Sequence, residues 1–159
     1  MADIVDTETR SRMMSAVRAK NSKLEIAVRR RLFAAGFRYR LHRKGLPGTP
    51  DLVFAKYQAV LFVHGCFWHY HGCHLSKIPS TRSSWWKEKL EANRRRDSKV
   101  MSELRNLGWR VLIVWECSFR KSKIDRKNAL DSIAEQVGCF LKSEKRLLEI
   151  PRLKQRTQK

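Results

Sequence analysis

Hydrophobic residues recur at helical spacing through the first part of the chain. Between residues 7 and 35, apolar side chains fall three or four positions apart with basic residues between them. This spacing predicts a helical arm over about residues 1–35. Asn21-Ser22 is expected to divide the arm into two helices, because Ser22 can cap the second helix with Glu25 three residues later.

Short apolar runs follow and predict strands. Residues 37–42 alternate in polarity and predict a short strand. The runs 52–55 and 58–63 lie on either side of Lys56-Tyr57, which predicts a β-hairpin. The run 109–116 is rich in β-branched and aromatic residues and predicts a further buried strand.

Helices are predicted between and after these strands, at residues 84–107 and 128–142. A strand–helix–strand unit crosses over so that its two strands run parallel, and we expect these two to be neighbours. The fold class is therefore α/β, with a central mixed sheet flanked by helices. Residues 1–140 are expected to form a single domain, and residues 141–159 a flexible basic tail.

The charge balance changes this picture from a generic α/β domain to one that binds a polyanion. The chain has 35 Lys and Arg against 15 Asp and Glu, a formal net charge of +20. Nucleic acid is the expected partner of such a field, although basic residues can also simply solvate helix faces. No apolar run is long enough to span a membrane and no secretory signal is visible, so we expect a cytoplasmic, nucleoid-associated protein with reduced cysteines.

Cysteine and histidine are concentrated in one segment. Four of the five histidines and two of the four cysteines fall between residues 64 and 74. Thiolate and imidazole are the ligands of tetrahedral zinc. Since two parallel strands end next to each other, we expect a structural zinc site formed by four residues, Cys66, His71, Cys73 and Cys117. The alternative is that these are buried cysteines beside a surface histidine; Cys139 is assigned to the core.

A second site is predicted around Asp51, which follows a turn rich in Gly and Pro at the start of a strand. Antiparallel pairing in the hairpin would bring its carboxylate near His64 and the carbonyl of Val63. Such a carboxylate can bind Mg²⁺, and His64 and His69 then offer an acid or a base. The ordinary alternative is a turn aspartate.

Two further carboxylates have two interpretations each. Asp97 could orient a histidine or form a salt bridge on a helix surface. Glu25 could be an active-site carboxylate or the capping-box partner of Ser22.

Several motifs over about residues 1–120 resemble those of the very-short-patch-repair DNA mismatch endonucleases. They are Thr9-Arg10-Ser11 with Met14, Pro50-Asp51-Leu-Val-Phe, Val63-His64-Gly-Cys66-Phe67-Trp68-His69-x-His71-x-Cys73, Thr81-Arg82, Trp86, Asn93-x-x-Arg96-Asp97 and Leu107-Gly-Trp-Arg-Val-Leu-Ile-Val-Trp-Glu-Cys117. The resemblance implies a restriction-endonuclease-like fold with a structural zinc site. It also implies a Mg²⁺-dependent enzyme that nicks 5′ of the thymine in T:G mismatches produced by deamination of 5-methylcytosine.

The same resemblance assigns roles to individual residues. Asp51 and the Val63 carbonyl would bind Mg²⁺, and His69 would assist the attacking water with support from Asp97. Glu25 and His64 would be auxiliary. The zinc ligands it implies are the four named above, and its DNA contacts are Phe67, Trp68, Trp86 and Met14. The Glu-x-Lys motif of the wider fold is absent, because Val63-His64-Gly65 stands in its place.

Two other functions remain open from the sequence. One is a site-specific endonuclease of the same fold that cuts matched DNA, and the other is a non-catalytic, zinc-stabilised DNA-binding protein. The expected partner is double-stranded DNA with a T:G mismatch, bound by a monomer, with downstream repair proteins as possible further partners.

Overall fold

Helices and strands alternate along the chain in the computed structural model, which describes residues 6–15, 20–120 and 126–152. The helices are α1 (Thr7–Ser15), α2 (Lys23–Ala34), α3 (Ser83–Asn106) and α4 (Arg126–Leu141). The strands are β1 (Arg40–Leu41), β2 (Leu52–Phe54), β3 (Ala59–His64), β4 (Arg110–Trp115) and β5 (Leu147–Ile150). The predicted helices, where they fall on described residues, and the predicted strands up to residue 116 are confirmed. Residues 1–5 and 16–19 of the predicted arm lie outside the described part.

The five strands form one mixed sheet in the order β1-β2-β3-β4-β5. β2 pairs antiparallel with both β1 and β3, whereas β3, β4 and β5 run parallel. Helix α3 connects β3 to β4, so the predicted crossover and the predicted adjacency of its two strands are both confirmed. His64 is paired with Trp115 in the register, and the chain segments that follow both strands therefore emerge side by side.

Helices cover both faces of the sheet. On one face, α2 and α4 pack against alternate residues of the strands, with Leu32, Leu61 and Phe140 among the buried side chains. On the other face, α3 and the segment after β3 cover Val60 and Ile113. Successive side chains of each central strand point to opposite faces of the sheet, and helices bury both faces. The result is a three-layer α/β arrangement with the site at one end of the central strands.

The prediction of a loosely held tail from residue 141 is wrong for residues 147–150. These residues form β5, which pairs with β4 from Val111 to Val114, and Ile150 is only 3% exposed. The guanidinium of Arg110 also donates hydrogen bonds to the carbonyls of Leu141 and Ser143. The strand was not predicted because the segment is rich in basic residues and its pairing partner, β4, lies far away in sequence. Residues 153–159 of the predicted tail lie outside the described part.

The placement of Cys139 in the core is also corrected. Its thiol-bearing side chain is exposed, because Val137, Phe140 and Leu141 occupy the inward face of α4 and Cys139 falls on the opposite side. Among the helices of the described ranges, none has the length and apolar character that crossing a membrane requires.

Candidate active site and metal cluster

Three cysteines and one histidine meet where β3 and β4 end. One ligand atom from each of Cys66, His71, Cys73 and Cys117 lies within 4.8 Å of the others. His71 Nδ1 is 3.6 Å from the sulfur of Cys66 and 3.5 Å from that of Cys117. A tetrahedral zinc ion with ordinary bond lengths separates sulfur and nitrogen ligands by about 3.5 Å. The four residues predicted from the sequence are therefore brought together, with spacing that fits such an ion.

The protonation chemistry of this cluster also fits a cation. Burial raises the pKa of Cys66 and of Cys117, so neither thiol ionises readily when no ion is present. Burial acts in the same direction on Cys73, but the N–H of Leu75 and the thiol of Cys66 outweigh it and lower its pKa. Thiols that face one another in a buried space become thiolates when a metal ion is bound.

The segment that carries the cluster is held by turn and side-chain hydrogen bonds and not by a helix or a sheet ladder. Ser76 Oγ donates to the carbonyl of Cys66 at 2.8 Å and accepts from the N–H of Gly72 at 3.1 Å. The ring of His71 stacks on Trp115 with centroids 4.0 Å apart. Because residues 65–82 contain no helix or strand, a bound metal would supply much of the order of this segment.

Asp51 lies just before β2, across the hairpin from β3. Its Oδ2 accepts a 2.7 Å hydrogen bond from the N–H of Val63. In an extended strand the N–H and C=O of one residue point to the same side, so the Val63 carbonyl also faces Asp51. Burial raises the pKa of Asp51 to about 6, which the N–H of Val63 opposes and the nearby Glu25 carboxylate reinforces.

Glu25 has contacts that fit both of the interpretations that the sequence left open. Its backbone N–H donates to Ser22 Oγ at 3.1 Å, and its Oε2 accepts from the N–H of Asn21 at 2.8 Å, which caps α2. Its Oε1 faces the other way, 3.1 Å from Nε2 of His42 and within reach of Asp51. The side chain is 3% exposed, so the cap holds a carboxylate inside the site.

His42 is the residue of this site that sequence reasoning missed. It is the one histidine outside the cluster of residues 64–74. Its N–H donates to the carbonyl of Asp51 at 3.2 Å, which extends the pairing of β1 with β2. Pairing the predicted strand 37–42 with the strand after Asp51 would have been the signal, since it places the end of one strand against the start of the other.

Two histidines and an aspartate lie beside Asp51. His69 Nδ1 is 2.6 Å from Oδ2 of Asp97 on α3, and the rings of His64 and His69 are stacked with centroids 3.7 Å apart. Burial, together with the positive charge that His69 can carry, holds the pKa of His64 well below its usual value. His64 is therefore the neutral partner of the stack, and the interpretation of Asp97 as an orienting carboxylate fits its contact.

The aromatic residues expected to contact DNA form a cluster next to His69. The centroids of Phe67 and Trp68 are 5.2 Å apart, and that of Trp86 is 5.3 Å from Phe67. Phe67 and Trp68 are half-buried, whereas Trp86 is 7% exposed and the neighbouring Trp85 is 42% exposed. The side chain of Met14 lies outside the described part of the structure.

A cavity of about 580 Å³ connects the acidic site to this aromatic cluster. Its walls include Asp51, His69, Trp68 and Arg120. A second cavity of about 280 Å³ also borders Asp51 and His69, and Lys20 and Arg96 line it. A phosphodiester backbone can thus approach the carboxylate between cationic side chains.

Comparison with known proteins agrees with this site. The model of the family "DNA mismatch endonuclease Vsr" matches residues 2–75. The chain is 42% identical over 139 residues to the DNA mismatch endonuclease Vsr of Escherichia coli K12, covering 87% of this chain and 89% of that one. It is 51% identical over 117 residues to the type II nicking enzyme V.XorIIP of Xanthomonas oryzae pv. oryzae, covering 74% and 86%. Because such identity extends over most of both chains, this protein is a DNA endonuclease and belongs to the Vsr family.

Proposed function

We propose that this protein is a Mg²⁺-dependent endonuclease that nicks the strand 5′ of the thymine in a T:G mismatch left by deamination of 5-methylcytosine. The observation that supports this most is that Asp51, His69 and Trp68 line one cavity, while His69 is bonded to Asp97. In this proposal the sheet and its helices form a restriction-endonuclease-like fold.

Asp51 and the Val63 carbonyl would hold the magnesium ion, with Glu25 as an auxiliary carboxylate. When bound, Mg²⁺ would neutralise the negative charge that develops on the scissile phosphate. The donor set fits, because these are oxygen ligands on the rim of a cavity.

His69 is proposed as the base for the attacking water. Its Nδ1 faces the Asp97 carboxylate at 2.6 Å, which places the proton of the neutral ring on Nδ1 and leaves the Nε2 lone pair available. That lone pair would take a proton from water as the water oxygen bonds to phosphorus. The bond from phosphorus to the leaving sugar oxygen breaks in the same step, and this oxygen takes up a proton from solvent. His64, neutral and stacked on His69, would hold the ring in place.

Recognition of the mismatch is assigned to Phe67, Trp68 and Trp86, with Met14 as a further contact. A T:G wobble pair stacks and pairs less stably than a matched pair, so inserting rings beside it costs less. The side-chain amide of Asn93 donates to the carbonyl of Trp68 at 3.0 Å, which attaches this aromatic segment to α3. A structural zinc ion on the four Cys/His ligands would fix its other end.

One alternative has specific support. Relatives such as V.XorIIP are named type II nicking enzymes, and the second candidate is therefore a nicking enzyme that acts at a sequence in matched DNA. The basic surface and single active site fit a monomer in either case, and repair proteins as downstream partners are proposed only with the first.

The test is a nicking assay on end-labelled duplexes that differ in a single T:G or T:A pair. We expect one Mg²⁺-dependent nick, 5′ of the mismatched thymine, and none in the matched duplex. Asp51→Ala should abolish the nick while the protein still binds DNA. Equal cleavage of both duplexes would favour the second candidate, and binding without cleavage by the unmodified protein would contradict both.

A further inference from the structure

The imidazole of His42 is enclosed beside the two carboxylates of the active site without directed hydrogen bonds. Its side chain is 15% exposed, and within the described residues both ring nitrogens are buried and make no hydrogen bond. A buried nitrogen lone pair without a donor is costly. Neither ring nitrogen has an aligned hydrogen bond, although Nε2 lies close to a carboxylate oxygen of Glu25, so a lone pair of the neutral ring is available to a cation.

The ring lies between the carboxylates. Nε2 is 3.1 Å from Oε1 of Glu25, and Nδ1 is 3.8 Å from Oδ1 of Asp51. One ligand atom from each of the three residues lies within 4.8 Å of the other two. Adjacent ligands of an octahedral ion with bonds of 2.0–2.1 Å lie about 3 Å apart. The nitrogen and the Glu25 oxygen already have that separation.

The three side chains come from three separately anchored positions. Glu25 is fixed by the cap of α2, and Asp51 by the N–H of Val63. His42 follows β1 with a positive φ of 44°, and its own N–H is bonded to the carbonyl of Asp51. The donor set is thus held in place by the backbone before any ion arrives, which lowers the cost of organising ligands.

We propose that His42 is a third protein ligand of the catalytic cation, together with Asp51 and Glu25, and that its nitrogen donor makes the site prefer Mn²⁺ to Mg²⁺. This inference rests on the proposed function, in which Asp51 binds the cation. Imidazole binds first-row transition ions better than Mg²⁺, and Mn²⁺ also accepts carboxylates. In an all-oxygen site that preference is smaller, because carboxylates and carbonyls suit both ions.

A competing role for the same ring is electrostatic. A protonated His42 would be a cation between two carboxylates and would hold them apart without touching a metal ion. A lysine could replace it in that role, because an ammonium group gives charge and hydrogen bonds but offers no lone pair to a metal. The two roles therefore differ in what His42→Lys does.

The experiment measures metal binding by the zinc-loaded full-length protein without DNA. Mn²⁺ is titrated and its free fraction is read by electron paramagnetic resonance, and Mg²⁺ is then added as competitor. We expect His42→Ala and His42→Gln to weaken Mn²⁺ binding about 10-fold or more and Mg²⁺ binding much less. His42→Lys should not restore Mn²⁺ affinity. Circular dichroism verifies folding, with His74→Ala, which removes an exposed histidine, as the matched control.

Asp51→Ala separates the inference from the function on which it rests. The role of His42 would be overturned if Asp51→Ala lost Mn²⁺ binding while His42→Ala and His42→Gln bound Mn²⁺ with wild-type affinity. That result would leave the Asp51 site intact. Restoration by His42→Lys would likewise overturn the role of His42 as a ligand in favour of the electrostatic role. Unchanged Mn²⁺ binding in Asp51→Ala would contradict the metal site itself.

Discussion

The imidazole rings of His64 and His69 lie face to face, parallel within 1° and with centroids 3.7 Å apart. Two protonated rings at this distance would repel each other in a largely buried space. Only one ring of the stack can carry a proton charge at a time, and burial makes His64 the neutral one. This arrangement supports the proposal that His69, held by Asp97, is the base of the hydrolysis.

Asp97→Asn should lower the rate of nicking by about 10²-fold or more. The asparagine keeps the size of the side chain but loses the negative charge that orients Nδ1–H and stabilises the protonated ring of His69. Single-turnover nicking of a T:G duplex measures the rate, and DNA affinity measured in parallel should be unchanged. A variant that nicks at the wild-type rate would remove Asp97 from the mechanism.

Cys117→Ser should lower the zinc content and the melting temperature together. One of four ligands is lost, and a serine hydroxyl does not replace a thiolate at a tetrahedral zinc ion. Zinc is measured by atomic absorption and unfolding by circular dichroism. Cys139→Ser is the matched control, because this thiol is exposed and lies outside the cluster. The structural zinc site would be contradicted if the wild-type protein purified without zinc and Cys117→Ser were as stable as the wild type.

When no Mg²⁺ is added, Asp51→Asn should raise the free energy of unfolding, but only above about pH 4, where the carboxyl group begins to ionise. The pKa of Asp51 is raised from 3.8 to about 6 in the folded state. Between these values the unfolded state loses the proton first, so ionisation progressively destabilises the folded state, up to roughly 3 kcal/mol above pH 6. Below pH 3.8 the carboxyl is protonated in both states and the effect vanishes.

Urea unfolding at pH 4 and pH 8 tests this dependence on Asp51. The gain in the free energy of unfolding should be present at pH 8 and nearly absent at pH 4, with Glu88→Gln on an exposed face as control. A gain of equal size at both pH values would show that the ionisation of Asp51 is not its source.

Trp68→Ala should reduce discrimination between T:G and matched duplexes more than it reduces binding to ordinary duplex DNA. A stacked base contributes roughly 1–3 kcal/mol, and only the mismatch allows the ring to enter. Fluorescence anisotropy with both duplexes measures the ratio of affinities. Trp85→Ala is the comparison variant for Trp68→Ala, because Trp85 is exposed and lies between the cations of Arg82 and Lys89. Equal losses of affinity on the two duplexes for Trp68→Ala would contradict intercalation.

Ile150→Ala should destabilise the protein by roughly 2–5 kcal/mol. Ile150 is buried at the end of β5, in the cluster that α2 and α4 share. Leu147→Ala, on the same strand but 37% exposed, should change stability by about 0.5 kcal/mol or less. Urea unfolding compares the two variants, and similar effects would mean that β5 does not belong to the core.

The central part of the fold could be predicted because its determinants are local. The apolar runs of β3 and β4 and the long polar α3 between them follow periodicity and turn residues, and the crossover rule then places the two strands in parallel. From that step alone, Cys66 and Cys117 had to lie near each other. The Asp51–Val63 contact followed from hairpin pairing in the same way.

What could not be predicted depends on contacts between distant segments. β5 is a short run in a basic segment, and only the free edge of β4 and the apolar face of α4 make it a strand. His42 becomes part of the site through the pairing of β1 with β2 and the position of α2. Cys139 is different, because the 3.6-residue period of α4 already placed it opposite the apolar face.

The segment from Cys66 to His71 begins and ends with a proposed zinc ligand, and between them lie two rings of the aromatic cluster and the proposed base. Trp68 and His69 are joined by a single peptide bond. Under the proposed roles, selecting a substrate and hydrolysing it are consequently not separable in this architecture. In the proposed mechanism, an aromatic ring that moves to enter a duplex also moves the neighbouring imidazole. A duplex that the rings fit poorly therefore leaves the imidazole poorly placed for hydrolysis. Substitutions that broaden what this segment accepts will also slow turnover, and evolution of new specificities is steered towards residues elsewhere in the chain.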